Sequence, residues 1–372
     1  MLRKCMDNRL MFNINEKTVV LAIFSLQGGG AERFVITLAE GFRKVGYEPH
    51  IICFKSEIDY VLPDIPIHFL SYQSYRWLPK KTRNRIFSKV FDLYVRNNIA
   101  NNPALILSNL WQVDQVLTHS SLPNKVFVIH NTLSKEKTIH TYLTDKSLNS
   151  VYQSQNVVAV SKGAKDDFLN IVPNAKKLTA IHNPIDREEI IIQSQKTEAL
   201  QNIKKKYPIL KKGYIVHVGK FKAQKNHIDL INAYAKSQRS LPLLLVGQGE
   251  LQSQCEELCK SLELQDKVIF VGFTPNPYPL IAHAKGMVLA SIYEGFGLVI
   301  AESLALGVPV ISTDCDSGPR ELLPKHNLVA VGNIQGLADK LDNLMHNPSD
   351  FSSDFDVNLL PNSVAMQYLN VV

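Results

Sequence analysis

Runs of strand length that are apolar throughout keep alternating with stretches of helical period, and this alternation limits the fold more than any other feature of the chain. The first run is VVLAIFSL at 19–26, followed by a Gly-rich turn, an amphipathic stretch from Glu32 to Val45, and PHIICF at 49–54. A strand that is apolar on both faces has to be covered on both, which is the situation of a parallel strand in a βαβ unit. The pattern returns at 104–110, 125–131 and 156–161, and a second series runs through 213–220, 241–247, 267–273, 286–291 and 308–313. Two doubly wound α/β domains account for all of these runs. A length of 372 residues is enough for each to bury its own core.

The boundary is expected near IHNPID at 181–186, with a polar linker in the stretch from Arg187 to Lys212. The domains are therefore placed at 1–186 and 187–350, with 351–372 as a C-terminal helix crossing back to the first. A formal charge of +7 favours anionic partners without choosing among them. Cys5, Cys53, Cys255, Cys259 and Cys315 are irregularly spaced and are read as reduced thiols. Cys255 and Cys259, one helical turn apart, read as two half-buried helix positions. The basic segment MLRKCMDNRLMFNINEK lacks an apolar core of signal-peptide length, and no run of about 18 apolar residues occurs. A cytoplasmic protein is expected.

Gly28-Gly29-Gly30 follows the first strand and opens a helix, a place where backbone N–H groups can hold an anion. It is not the GxGxxG fingerprint, since Arg33 stands at the last glycine position, and no GxxxxGK[ST] occurs. The triple glycine alone fits a plain tight βα turn equally well. In the second half the strand YIVHVG ends at Gly219, and Lys220 and Lys225 follow just before a helix. Two cations at that spacing, beside a helix N-terminus, could grip one diphosphate, whereas alone they would read as a solvated loop.

Farther on, Glu294 and Glu302 frame a Gly-rich turn in SIYEGFGLVIAESLALG. Glu294 is expected at a strand end and Glu302 about two turns into the following helix, facing the same cleft. A carboxylate accepts two hydrogen bonds from a ribose or sugar diol, while free N–H groups around Gly295, Phe296 and Gly297 suit a phosphate or sugar oxygen.

With these blocks in view, the sequence resembles the family-4 retaining glycosyltransferases. The resemblance rests on GGGAER, VIHN, AVSKG, IHNPID, GKFKAQKN, VGQGE, EGFGLVIAE and STDCDSGPREL, which together span nearly the whole chain. It implies the GT-B fold, two doubly wound Rossmann-like domains facing across a cleft. It also implies that Lys220 and Lys225 grip the donor diphosphate, that Glu302 binds the ribose, and that Glu294 lies near the donor sugar. The backbone of Gly219 and of Gly295, Phe296, Gly297 and Leu298 would then line the sugar and phosphate, and Gly28 to Gly30 would close over the donor. The family carries Arg at the first basic position; Lys220 keeps the charge and gives up the bidentate fork.

By the same resemblance, transfer proceeds on one face of the sugar, the departing phosphate helps deprotonate the acceptor hydroxyl, and His130 contacts donor or acceptor. The catalytic set is then His130, Lys220, Lys225 and Glu294. No cofactor is expected. Asp314-Cys315-Asp316 has the DxD form of metal-dependent transferases of the other major fold, but two lysines already neutralise the diphosphate, so no metal is expected either. Asn109, Trp111 and Gln112 are weaker candidates for acceptor contact, and Glu321 for bracing the cleft.

Between Tyr72 and Arg96, the basic residues Arg76, Lys80, Lys81, Arg83, Arg85, Lys89 and Arg96 face a single acid, Asp92, and are interleaved with six aromatics. Ile86, Val90, Leu93 and Tyr94 fall at helical spacing. Such a helix can dock on an anionic membrane surface, or simply pack on the sheet with a solvated basic face. No nucleic-acid-binding motif accompanies it, and nucleic acid is ranked last. The expected activity is transfer of a hexose or N-acetylhexosamine from a nucleotide sugar, most readily a UDP-sugar, to a glycan or lipid-linked glycan in bacterial polysaccharide or lipopolysaccharide synthesis. The enzyme would work in the cytoplasm, docked peripherally on the inner face of the cell membrane. The alternatives are a GT-B enzyme with a soluble acceptor, and a nucleotide-sugar-binding protein without turnover.

Overall fold

The computed structural model describes residues 17–59, 62 and 64–372. Cys5 and all of the basic N-terminal segment but Lys17 lie outside them. The chain forms two compact units, one from the chain up to Pro184 together with Val357–Val372, the other Ile185–Asp356.

In the first unit seven parallel strands lie in the order β3-β2-β1-β4-β5-β6-β7. They are β1 Thr18–Ile23, β2 Glu48–Cys53, β3 Ile67–Phe69, β4 Leu105–Asn109, β5 Lys125–Ile129, β6 Asn156–Ala159 and β7 Lys177–Ala180. The central ones are buried from end to end, as their unbroken apolar runs require. In the second unit six parallel strands lie in the order β10-β9-β8-β11-β12-β13. These are β8 Ile215–Val218, β9 Leu243–Val246, β10 Val268–Gly272, β11 Gly286–Leu289, β12 Val310–Thr313 and β13 Leu328–Val329. Each sheet reverses its winding once, between β1 and β4 and between β8 and β11. Connections leave those adjacent strand ends in opposite directions and open a crevice, which is where doubly wound folds bind their ligands.

Two local readings of the sequence are corrected, and one that it left open is decided. The stretch 187–212 is not a linker. It forms the helices Arg187–Ser194 and Glu198–Lys206 and a 3₁₀ segment, anchored by buried Ile190, Leu200 and Leu210. Both helices pack on the helix Tyr278–Ala282. The core face of the helix Lys80–Asn98 is Phe87, Phe91 and Val95, while Ile86 and Leu93 point to solvent at 37 % and 59 % exposure. That helix therefore carries a second, unburied apolar stripe among its cations. Glu302 is the fifth residue of the helix Leu298–Ala305. At about 3.6 residues per turn that is little more than one turn in, not two.

The final helix, Pro361–Leu369, packs on the helix Gly30–Lys44 within the first unit. Gly41 makes this approach close: a Cβ there would meet the Pro361 carbonyl oxygen at 2.2 Å.

Candidate functional site

In the second unit the loop after β8 and the loop after β11 leave neighbouring strands at the point of reversal. They are stitched together by Ile292 N donating to Gln224 O at 2.8 Å and Gln224 Nε2 donating to Tyr293 O at 2.9 Å. This pairing brings Lys225 against Glu294: Nζ donates to Oε1 at 2.5 Å, with the side chains only 16 % and 8 % exposed. The same Oε1 accepts from Ser291 Oγ at 2.6 Å. Glu294 lies in the loop beyond β11, not at the strand end expected for it. Its backbone carbonyl accepts from Ser317 Oγ.

Lys220 is exposed at the head of the same loop, and Gly219 lies beside the Lys225 stem, whose Cγ and Cδ would stand 3.3 Å from a Cβ at that glycine. Gly295, Phe296 and Gly297 are buried, Leu298 half-buried, and Gly297 caps the helix Leu298–Ala305 with its amides directed at the loop. Gly318 holds the next loop against this one. Its φ of +79° suits glycine, and a Cβ would stand 2.2 Å from the Phe296 carbonyl oxygen. Glu302, buried one turn into the helix, accepts from the Tyr278 hydroxyl at 3.1 Å.

Beneath Lys225 sit two buried imidazoles. His217 Nδ1 donates to the Val288 carbonyl at 2.9 Å, which leaves Nε2 as the acceptor, and His227 stacks on Phe221 with ring centroids 4.0 Å apart. Burial pushes them down to about 4 and about 2, so both are neutral near pH 7 and the positive charge here is lysine charge.

Asp314 accepts from Arg320 Nε at 3.0 Å and Asp316 is exposed. Glu321 lies in the short helix Pro319–Leu322. Among the described residues no group of three or more His, Cys, Asp or Glu is placed to hold a metal ion. Cys53, Cys255, Cys259 and Cys315 are free and buried, and burial pushes their thiols up to between about 11 and about 12. They are packing residues.

In the first unit Gly28, Gly29 and Gly30 lie between β1 and the helix Gly30–Lys44, with Gly29 at its N-cap. His130 follows β5. Asn109 Nδ2 donates to the Ala22 carbonyl at 3.1 Å, which turns the amide oxygen to His130 Nε2 at 2.9 Å. The His130 ring meets Phe34 edge-on at 4.8 Å, and burial pushes its pKa down to about 3. It is therefore a neutral imidazole protonated on Nε2, with Nδ1 as its acceptor.

The sequence reading missed Ser291, Ser317, Tyr278, Gln224 and the two imidazoles. Ser291 and Ser317 lie inside the motifs already quoted, whereas Tyr278 reaches Glu302 across 24 positions and no local pattern marks it.

Residues 28–189 match the family described as Glycosyltransferase Family 4, and residues 200–358 match Glycosyl transferases group 1. The chain is 32 % identical over 345 residues, 86 % of its length and 89 % of the relative's, to the N-acetylgalactosamine-N,N'-diacetylbacillosaminyl-diphospho-undecaprenol 4-alpha-N-acetylgalactosaminyltransferase of Campylobacter jejuni. Among solved structures, that of Anabaena HepE in complex with UDP and glucose matches with a TM-score of 0.69 at 19 % identity, covering 95 % of this chain and 96 % of that one. The lipopolysaccharide outer core galactosyltransferase WaaB matches with a TM-score of 0.68 at 17 % identity, covering 95 % and 98 %. At such identities these likenesses show the fold, the two Rossmann-like units of GT-B.

Proposed function

This chain belongs to glycosyltransferase family 4, and from that premise we propose that it transfers a hexose or N-acetylhexosamine from a UDP-sugar, with retention and without a metal, to a lipid-linked glycan. The observation that carries the reading is the Lys225–Glu294 pair at the point where the second sheet reverses, with the capped helix Leu298–Ala305 beside it. Lys220, Lys225 and the amides of Gly295 to Leu298 supply the positive field for a diphosphate, with no imidazolium needed. Glu302, held by Tyr278, accepts from the ribose diol, and Glu294 accepts from a hydroxyl of the donor sugar.

In this reading the bond from the sugar's anomeric carbon to the diphosphate oxygen breaks as the bond from the acceptor oxygen forms on the same face. The acceptor's proton passes to the departing diphosphate, so no protein nucleophile takes part. The protein contributes orientation and stabilisation of the leaving group's charge. His130 offers an uncharged Nε2–H and an Nδ1 acceptor, and Gly28 to Gly30 offer backbone amides, as contacts for donor or acceptor.

The named activity of the Campylobacter relative, transfer to a diphospho-undecaprenol glycan, supports a lipid-linked acceptor here. So does the helix Lys80–Asn98. Its only acid, Asp92, is buried and accepts from Ser120 Oγ at 2.6 Å and from Ser121 N at 2.7 Å, so it does not neutralise the outer face. Arg76, Lys80, Lys81, Arg85, Lys89 and Arg96 are exposed there with Ile86, Leu93 and Trp77, the last at 79 %. Cations around exposed apolar side chains suit an anionic bilayer surface, at about 1 kcal/mol per well-placed cation. No described helix is long and apolar enough to cross a membrane; a peripheral site on the inner membrane face is the location this reading assigns.

The test is to incubate the chain with each common UDP-sugar and an undecaprenyl-diphosphate-linked sugar in EDTA, and to read the product's anomeric configuration by NMR. A lipid-linked product with the donor's configuration is expected. An inverted product, or transfer only to soluble sugars, overturns it. Sedimentation with anionic vesicles at low salt tests the membrane surface, and equal recovery with neutral vesicles would remove it.

A further inference from the structure

At the point of reversal in the first sheet, the backbone does something a leucine should avoid. Leu110, directly after β4, has φ +73° and ψ +145°, on the positive side where the Cβ of any residue but glycine is crowded. Such a conformation persists only where its surroundings over-determine it. The turn is short, because the helix Trp111–Leu117 begins at the next residue, with Val113 N and Asp114 N both donating to the Leu110 carbonyl at 3.0 Å.

Beside the turn lies a carboxyl group buried in the core. Asp114 is 1 % exposed; its Oδ1 accepts from Ser108 Oγ at 2.6 Å and its Oδ2 from the Tyr152 hydroxyl at 2.7 Å. Ser108 stands two residues before Leu110 and Asp114 four after, so this carboxyl group ties the two ends of the strained turn, while Tyr152 ties it to the helix Asp145–Tyr152. Trp111 packs on Tyr152 with ring centroids 6.0 Å apart. Between the tied ends sits Asn109, whose amide bridges the Ala22 carbonyl of β1 and His130 after β5. Burying a carboxyl in an otherwise apolar cluster is costly, and a core leucine or phenylalanine would pack at no such cost.

We propose that Ser108, Asp114 and Tyr152 form a clamp that keeps the turn at Leu110 in its left-handed conformation and so sets the Asn109 amide against His130, which makes all three positioning residues for the chemistry of the first unit. The assignment of that chemistry to sugar transfer rests on the function proposed above; the clamp itself does not. Without the carboxyl, Leu110 relaxes into allowed backbone, the Asn109 peptide turns, and His130 loses its partner.

The experiment uses the full chain with Asp114→Ala, Asp114→Asn, and Asp114→Ala combined with Leu110→Gly. Each is read by NMR titration of the His130 ring, by UDP binding, and by kcat for transfer. In Asp114→Ala the His130 midpoint rises from about 3 by about one unit or more as water reaches the ring. Its kcat falls about 10-fold to 100-fold with UDP affinity unchanged within about twofold. Asp114→Asn, like the neutral carboxyl, keeps both links, its amide oxygen accepting from one hydroxyl and its NH2 donating to the other, and restores the wild-type titration and rate. Glycine adopts the turn unforced, so Leu110→Gly suppresses the Asp114→Ala defect. If Asp114→Ala fails to fold, Ser108→Ala gives the same reading with a smaller change. A folded Asp114→Ala or Ser108→Ala with His130 unmoved, or a double variant as impaired as Asp114→Ala, overturns the clamp. If the wild type transfers no sugar, the proposed function fails and the His130 titration still decides the clamp.

Discussion

Replacing Glu294 by Gln tests the Lys225 pair without changing the shape of the side chain. At 2.5 Å and an effective dielectric near 20, two unit charges attract by about 7 kcal/mol, most of which is offset by desolvation. Removing one member of a buried pair costs about 3–5 kcal/mol. Because Lys225 keeps 16 % exposure and can draw some water, the lower end, about 3 kcal/mol, is the expected loss. At about 2–4 °C per kcal/mol for a unit of this size, the midpoint should fall by about 6–12 °C. A diphosphate returns an anion to Lys225. Saturating UDP should therefore raise the midpoint of Glu294→Gln by more than it raises the wild type, whose lysine is already paired. Transfer, in which the proposed function sets this carboxylate on the donor sugar, should drop about 100-fold or more. Differential scanning fluorimetry with and without UDP, and a transfer assay, read all three. A midpoint within about 2 °C of the wild type, or a weaker response to UDP in the variant, would refute the reasoning that Lys225 exchanges Glu294 for the diphosphate.

Two further outcomes follow from the packing. Gly41→Ala places a methyl group 2.2 Å from the Pro361 carbonyl and should push the C-terminal helix off the first unit, with a loss of about 1–3 kcal/mol by thermal denaturation. An unchanged midpoint would mean that the two helices are not held together as described. Burial raises the Asp114 carboxyl from 3.8 to about 8 against the opposing hydrogen bonds of Ser108 and Tyr152, the groups that face it from β4 and the helix Asp145–Tyr152. The folded chain thus holds this proton more tightly than the unfolded one. The stabilisation is complete below about pH 4 and is lost as pH rises through about 8, with a slope of up to about 1.4 kcal/mol per unit. Stability of the wild type relative to Asp114→Asn should fall across that window, and a flat difference would contradict it.

The long-range plan of the fold was legible because buried parallel strands must be apolar on both faces, and the run at 19–26 covers all of β1 but Thr18, while those at 104–110 and 241–247 contain β4 and β9. The edge strands β3 and β13 were not, since three residues and two, only partly buried, leave no run to see. The polarity of 187–212 concealed two helices because each buries little: Ile190 and Ser194 in one and Leu200 in the other. Helical spacing alone left open which side of Lys80–Asn98 faces inward, because that helix carries two apolar stripes and only packing decides which is covered. In the candidate site, Lys225 and Glu294, which the structure brings together, could be singled out from motif and spacing. What orients two other buried carboxyl groups could not: Tyr278 on Glu302 and Tyr152 on Asp114 come from distant segments.

The diphosphate site is tested most directly by the thermal shift of the intact chain with UDP, GDP and ADP, in EDTA, compared with that of Lys225→Ala. A UDP-selective rise of about 2.7 kcal/mol is expected at about 100 times the dissociation constant, undiminished by EDTA and largely lost in Lys225→Ala. A rise that needs a divalent ion, or one that survives intact in Lys225→Ala, would contradict the claim that this lysine, paired with Glu294, is the diphosphate site.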